Sequence, residues 1–199
     1  MIDKKLFEAI SKISGMDAGA IYAIVATESN GSFSWEDGKI PILYERHWIY
    51  RFYKREHGKK EALKMVKLFP HLINNKSGGY GKFSEQYNKL ASSIKIFGTE
   101  IAHASTSFGA FQIMGFNYEV CGYSSAVDMA DSYHDEPMQN QIMGFIEFCK
   151  NYKNGKLLKA IKKKNWDKLA YIYNGKAYNK NRYAAKLRIA YARYYDEVL

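Results

Sequence analysis

Glu28 is the only carboxylate in the stretch AIYAIVATESNGSF, residues 20–33. Ile21, Ile24 and Val25 recur at helical spacing, and Glu28 follows them at intervals that keep it on the same apolar face. Asp17 is a suitable N-cap before this run, and Ser29-Asn30-Gly31 is a strong helix stop. Glu28 is therefore expected in the last turn of a mostly apolar helix. Burial raises the pKa of a carboxyl group, and the negative end of the helix dipole acts in the same direction. A carboxyl group that stays protonated near neutral pH is what a general acid requires. The plainer alternative is an amphipathic boundary, with Glu28 turned to water as the helix ends.

Two further stretches could support such an acid. In STSFGAFQIMG, residues 105–115, Ser107 and Gly109 precede an apolar segment read as a helix that carries Phe111 and Gln112. An amide beside Phe111, Ile113 and Met114 needs hydrogen-bond partners, which a sugar hydroxyl, an acetamido group or a backbone carbonyl could supply. In YIYNGKAYNKNRY, residues 171–183, Tyr173-Asn174-Gly175 suggests a tight turn, and Tyr173 and Tyr178 offer flat faces suited to stacking on pyranose rings. A second carboxylate could come from Glu45, Asp37 or Glu36. The ordinary roles are an ion pair with Arg46 or Arg51 for Glu45, and a turn position for Asp37 beside Gly38.

The elements that must position these residues read as mainly helical. Helices are expected at 3–13, with Leu6, Phe7, Ile10 and Ile13 on one face, around Glu28, and from His47 to Gly58. Others are expected from Lys59 to a stop at Pro70, at 84–97, 99–104, 109–118, 124–132, 137–151, 155–163, 165–173 and 180–198. KIPILY is a short extended run after the turn signal Asp37-Gly38, which places a small β element near residues 33–45. The expected fold class is all-α to α+β, a mainly helical single domain over residues 1–199.

Charge is unevenly distributed. Residues 150–199 hold 14 Lys and Arg against 3 Asp and Glu, whereas residues 1–149 hold 16 against 17, so the net charge of +10 is carried by the C-terminal quarter. This suggests an anionic partner such as nucleic acid, a membrane surface or a bacterial envelope, or simply a solvated helix face. No recognised nucleic-acid-binding motif accompanies it. Cys121 and Cys149 have no metal-ligand spacing, and the acids of DMADSYHDEP lack a calcium-loop pattern, so no metal or cofactor is expected. The N-terminus lacks the apolar core of a signal peptide.

Taken together and in order, ATESNGSF, ILYERHWIYR, GGYGKFSEQY, SFGAFQIMGFNYEVCGY and YNGKAYNKNRYAAKLRIAYA resemble the N-acetylmuramidase domain of bacteriophage endolysins, within the lysozyme superfamily. The resemblance runs from about residue 15 to 195. It implies a lysozyme-like fold and cleavage of the MurNAc-β-1,4-GlcNAc bond of peptidoglycan. The family's catalytic Glu falls on Glu28 and a second acidic position on Glu45; its saccharide groove falls on Ser107, Gly109, Phe111, Gln112, Tyr173, Asn174 and Tyr178. It further implies a monomer made in the host cytoplasm without a signal peptide, which reaches the wall after holin-dependent release. The basic C-terminal region is expected to contact the anionic envelope. A lytic transglycosylase, a catalytically silent wall-binding module and a basic nucleic-acid-binding helical protein are the competing readings. An inverting hydrolase would hold its second carboxylate ~6.5–9.5 Å from the acid and a retaining one ~5–5.5 Å, whereas a transglycosylase can use the substrate's own 6-hydroxyl.

Overall fold

The computed structural model describes residues 3–35, 37–179 and 181–196. Among them, ten α-helices surround a three-stranded antiparallel sheet. Helix α1 (Lys4–Ser14) buries Phe7 and Ile10 and ends at Gly15, in the left-handed conformation at φ 64°. Ile13, expected on the buried face, is 69% exposed, because the helix meets the core only through its middle turns.

Helix α2 (Ala18–Ser29) is the axis of the fold. The Asp17 side chain accepts the Ala20 N–H at 3.0 Å, and Asn30 closes the helix in the left-handed conformation. The helix is not amphipathic: Gly19, Ala20, Ile21, Ala23, Ile24 and Val25 are all buried. A helix that is apolar all round belongs in the interior, and α1 and α10 (Tyr183–Asp196) pack along it. Gly19 permits this approach, since a Cβ there would lie 2.6 Å from the Tyr195 ring. No single helix among the described residues is long and apolar enough to cross a membrane.

Strand β1 (Ile42–Tyr44) pairs with β2 (Thr106–Phe108), which pairs with β3 (Ile113–Met114). Only β1 falls in the region expected to be extended. The segment read as a helix at 109–118 is instead the β2–β3 hairpin followed by 3-10 turns at Gly115–Asn117 and Glu119–Cys121. Its apolar residues were compatible with helical spacing, but Gly109 and Gln112 both take positive φ, 75° and 48°, which breaks a helix. Buried Gln141 on α7 (Pro137–Asn151) fixes the turn by accepting the Ala110 N–H at 2.7 Å and donating to the Phe33 carbonyl at 3.0 Å. Gln86, the first residue of α4 (Gln86–Phe97), satisfies the outer edge of β1 by accepting the Tyr44 N–H at 3.0 Å. The Tyr44 hydroxyl donates to the Leu72 carbonyl at 2.7 Å.

The two helices expected on either side of Gly58 make up α3 (Arg46–Leu68), which is broken by a kink at Gly58, non-helical at φ 82°, ψ 164°. The other helices are α5 (Thr99–Ala104), α6 (Ala126–Asp135), α8 (Lys156–Lys162) and α9 (Trp166–Asn174). Cys121 and Cys149 are buried free thiols, and burial pushes Cys121 up to about 12.

Candidate active site

A cleft of about 1060 Å³ opens where α2, the start of α3, the sheet and the end of α9 meet. Its volume is at the upper end of the ~300–1,000 Å³ usual for small-molecule sites, as suits a segment of a polymer. Glu28 lines it from the last turn of α2, and Glu45 from the position between β1 and α3. Ser107, Gln112, Ile113 and Met114 line it from the hairpin, and Tyr173, Asn174 and Gly175 from the end of α9.

Glu28 is partly buried, with its remaining exposure into the cleft. Burial raises its pKa to about 7, opposed by a hydrogen bond from Tyr183 and, more weakly, by the charge of Lys186. The Tyr183 hydroxyl donates directly to Glu28 Oε1. Burial, followed by the charge of Glu28, pushes both Tyr183 and Tyr173 well above the usual phenol range, so both remain donors. Tyr183 and Tyr173 lie with rings nearly parallel, 6.3 Å apart. Tyr183 was absent from the residues expected at the site. It reaches Glu28 because α10 packs along α2, a contact 155 residues apart in sequence.

Glu45 Oε2 lies 2.9 Å from His47 Nδ1, with both side chains 14% exposed. The two atoms are in close contact without aligned hydrogen-bond geometry, and both lack a hydrogen-bond partner among the described residues. The expected partners of Glu45 are engaged elsewhere: Arg46 donates to the carbonyls of Gly78 and Pro70, and Arg51 lies over the Trp48 ring at 4.3 Å. Tyr80 joins this wall, its phenol pushed up to about 12 by burial and then by the charge of Glu45. Asp37 accepts the Lys39 N–H at 3.1 Å and pairs with its amine, an exposed turn residue outside the cleft. Glu36 lies outside the described residues. Among the described residues no cluster of His, Cys, Asp and Glu could hold a metal.

The groove expectation needs correction at three positions. Phe111 is 2% exposed and stacks on Phe145 at 3.9 Å, so it belongs to the core. Gly109 shapes the turn, where a Cβ would lie 2.5 Å from the Gln141 amide oxygen. Tyr178 packs edge-on against Tyr171 and does not line the cleft. Gln112 does line it, but its amide is already used: Oε1 accepts from Ser107 at 2.9 Å, and Nε2 donates to the carbonyls of Gly109 at 2.9 Å and Pro41 at 3.2 Å. Gln112→Ala is therefore expected to lower the unfolding free energy by about 1–3 kcal/mol in urea denaturation, from the partners left unsatisfied. A loss of saccharide affinity with no change in stability would contradict this structural role.

A helical body with a small sheet, and a carboxylate-lined cleft between them, is the architecture of lysozyme-like glycosidases. The sequence profile of the family described as N-acetylmuramidase matches residues 17–195. The chain is also similar to the crystal structure of Burkholderia AP3 phage endolysin, with a TM-score of 0.78 and 34% identity, over 96% of this chain and 70% of that one. No curated protein matches. The chain belongs to the N-acetylmuramidase family, and is a glycosidase that degrades peptidoglycan.

Proposed function

We propose that this chain is an endolysin-type N-acetylmuramidase that cuts the MurNAc-β-1,4-GlcNAc bond, with Glu28 as general acid. The observation that carries this reading is a carboxyl group raised to about 7 within the cleft. Such a group holds a proton near neutral pH and can release it to the leaving glycosidic oxygen. Because Tyr183 occupies Oε1, the proton to be given up sits on Oε2. Tyr173 keeps the acid in place indirectly, through its packing on Tyr183 and its hydrogen bond to the Phe111 carbonyl. Ser107 and Asn174 contribute hydroxyl and amide groups to the cleft wall beside the sugar.

Glu45 is the second carboxylate of this proposal, acting as base toward water, with His47 packed beside it at 2.9 Å. One observation favours a second reading: Glu28 and Glu45 are the only acids lining the cleft among the described residues, and Glu45 is already engaged. A lytic transglycosylase would need Glu28 alone. Digestion of purified peptidoglycan with mass analysis of the fragments decides, a reducing-end sugar supporting hydrolysis and a 1,6-anhydro sugar supporting the alternative. Release of no glycan fragment would overturn both.

The chain acts in this proposal as a monomeric catalytic domain that reaches the wall after holin-dependent release. Its basic C-terminal quarter adsorbs to the anionic envelope. Lys156, Lys159 and Lys163 are exposed, whereas Lys164 pairs with Asp17 at 3.3 Å and lies over the Tyr191 ring, a structural contact. Changing Lys156, Lys159 and Lys163 to Glu is expected to weaken adsorption to sacculi, most strongly at low salt, because charges beyond about 10 Å are screened at 0.1 M. Turnover of short soluble oligosaccharides should be unchanged. A sedimentation assay that finds equal adsorption at low salt would reduce these lysines to a solvated face.

A further inference from the structure

Beside the cleft, a smaller groove of about 360 Å³ is lined by Tyr50, Arg51, Lys54, Arg55 and Asn75. It shares Arg51 and Asn75 with the cleft wall, so the two are continuous. Three of its five lining residues are cations and none is an acid. Lys54 and Arg55 lie three and four residues after Arg51, the spacings that bring each of them beside it on one face of α3. Like charges at these spacings destabilise a helix, and little within the protein offsets them. The nearest carboxylate contact of Arg55 is Glu56 at 3.9 Å, with both side chains well exposed. Arg51 rests on the Trp48 ring at 4.3 Å and Arg55 on the Phe52 ring at 5.3 Å, which holds both guanidinium groups in place without neutralising them.

We infer that this groove binds the carboxylates of the peptide stem attached to the muramic acid seated in the adjoining cleft. The inference rests on the muramidase reading above. The stem leaves the glycan through the lactyl amide and carries its carboxylates along its length, so a cationic channel continuous with the cleft matches its charge. Arg51 stands at the junction and receives the first of these groups; Lys54 and Arg55 receive those farther out. On its other side Arg55 borders a separate groove that holds Glu56, Glu100 and Glu119, and those acids repel an anion and confine the stem to the Arg51 and Lys54 side. The enzyme therefore distinguishes peptide-bearing glycan from bare glycan through contacts remote from the scissile bond.

The test compares kcat/KM on two soluble, phosphate-free glycan oligomers, one bearing stems and one stripped of them by an amidase. Amidase cleavage breaks the lactyl amide and exposes one carboxylate on the sugar at the root of the stem, so the stripped oligomer keeps an anion at the Arg51 junction and lacks only the distal ones, which Lys54 and Arg55 would meet. Wild-type enzyme is expected to prefer the stem-bearing oligomer by roughly five- to tenfold at low salt, from two or three exposed charge pairs. Lys54→Gln/Arg55→Gln should bring that preference close to parity while turnover of the stripped oligomer stays unchanged. Equal wild-type activity on both oligomers, a preference that survives in the variant, or parallel loss on both substrates would each overturn the inference. So would a preference seen only on walls that retain phosphate polymers, which would identify phosphate as the ligand. If wild-type enzyme cuts neither oligomer, the muramidase reading itself fails, an outcome distinct from the others.

Discussion

Glu28→Gln is expected to reduce peptidoglycan cleavage by at least 10²-fold, the lower end of what general acid catalysis contributes. The amide fills the same volume and still accepts the hydrogen bond that Tyr183 gives to Oε1. What is lost is the proton on the second oxygen, and neither Tyr183 nor Tyr173 can replace it, because both phenols are held well above their usual range. Substrate affinity should be retained, so the loss appears in kcat. A variant that keeps more than about a tenth of wild-type activity would remove Glu28 from the role of acid.

The same substitution has a signature in stability that an ordinary surface carboxylate would not give. The folded pKa of about 7 lies above the ordinary value of 4.5, so between these pH values the native state binds more protons than the unfolded chain. Stability therefore falls as pH rises through this window, and the penalty is complete above about 7 and absent below about 4.5. Glutamine cannot ionise. The variant should match wild type near pH 4 and exceed it near pH 8, by up to about 3 kcal/mol from the linkage of the shift. Chemical denaturation at the two pH values measures this. In parallel, wild-type kcat/KM should decline above pH 7 as the acid loses its proton.

The helices were legible because their signals are local. Asp17 and Asn30 cap as their chemistry dictates, and Glu28 stands at the end of an apolar helix as the spacing required. The hairpin was not legible, because its decisive contacts are distant in sequence: Gln141 fastens the turn from 31 residues away, and β2 finds β1 across 64. A four-residue turn with two positive-φ positions reads in isolation as an apolar helix start. Phe111 was misjudged for the same reason, since it looks like a groove residue until Phe145 is brought to it. Gln112 does line the cleft, but that Ser107 and Pro41 take up its amide is not legible locally. Tyr183 had a signal, since it shares a helical face with buried Leu187 and Tyr194, but nothing in the sequence says that this face meets Glu28. The cations of α3 were hidden by averaging, because a count over residues 1–149 cancels them against acids that lie elsewhere.

Glu45→Ala is expected to lower kcat by at least tenfold while binding of the glycan persists, with a reducing-end sugar as the product that remains. The argument begins with what hydrolysis needs beyond an acid. Water must be deprotonated, or the oxocarbenium-like centre must be met by a carboxylate, and general base catalysis of this kind is worth 10²–10⁴-fold. Glu45 lines the cleft with Glu28 and is held close to His47, so its carboxylate is placed to accept a proton from water. Removing it would leave His47 without its carboxylate, and a purely structural role would show itself as a lower melting temperature with activity restored on cooling. Full activity with a 1,6-anhydro product would instead mean that the substrate's own hydroxyl is the nucleophile and that Glu28 suffices. These outcomes separate because the proton inventory differs. A hydrolase must find a second site for the proton of water, whereas in a transglycosylase Glu28, once it has protonated the leaving oxygen, becomes the base that takes the proton of the 6-hydroxyl. The buried position that raises Glu28 to about 7 would serve both halves of that cycle, since a group poised near neutrality gives up and regains a proton with comparable ease.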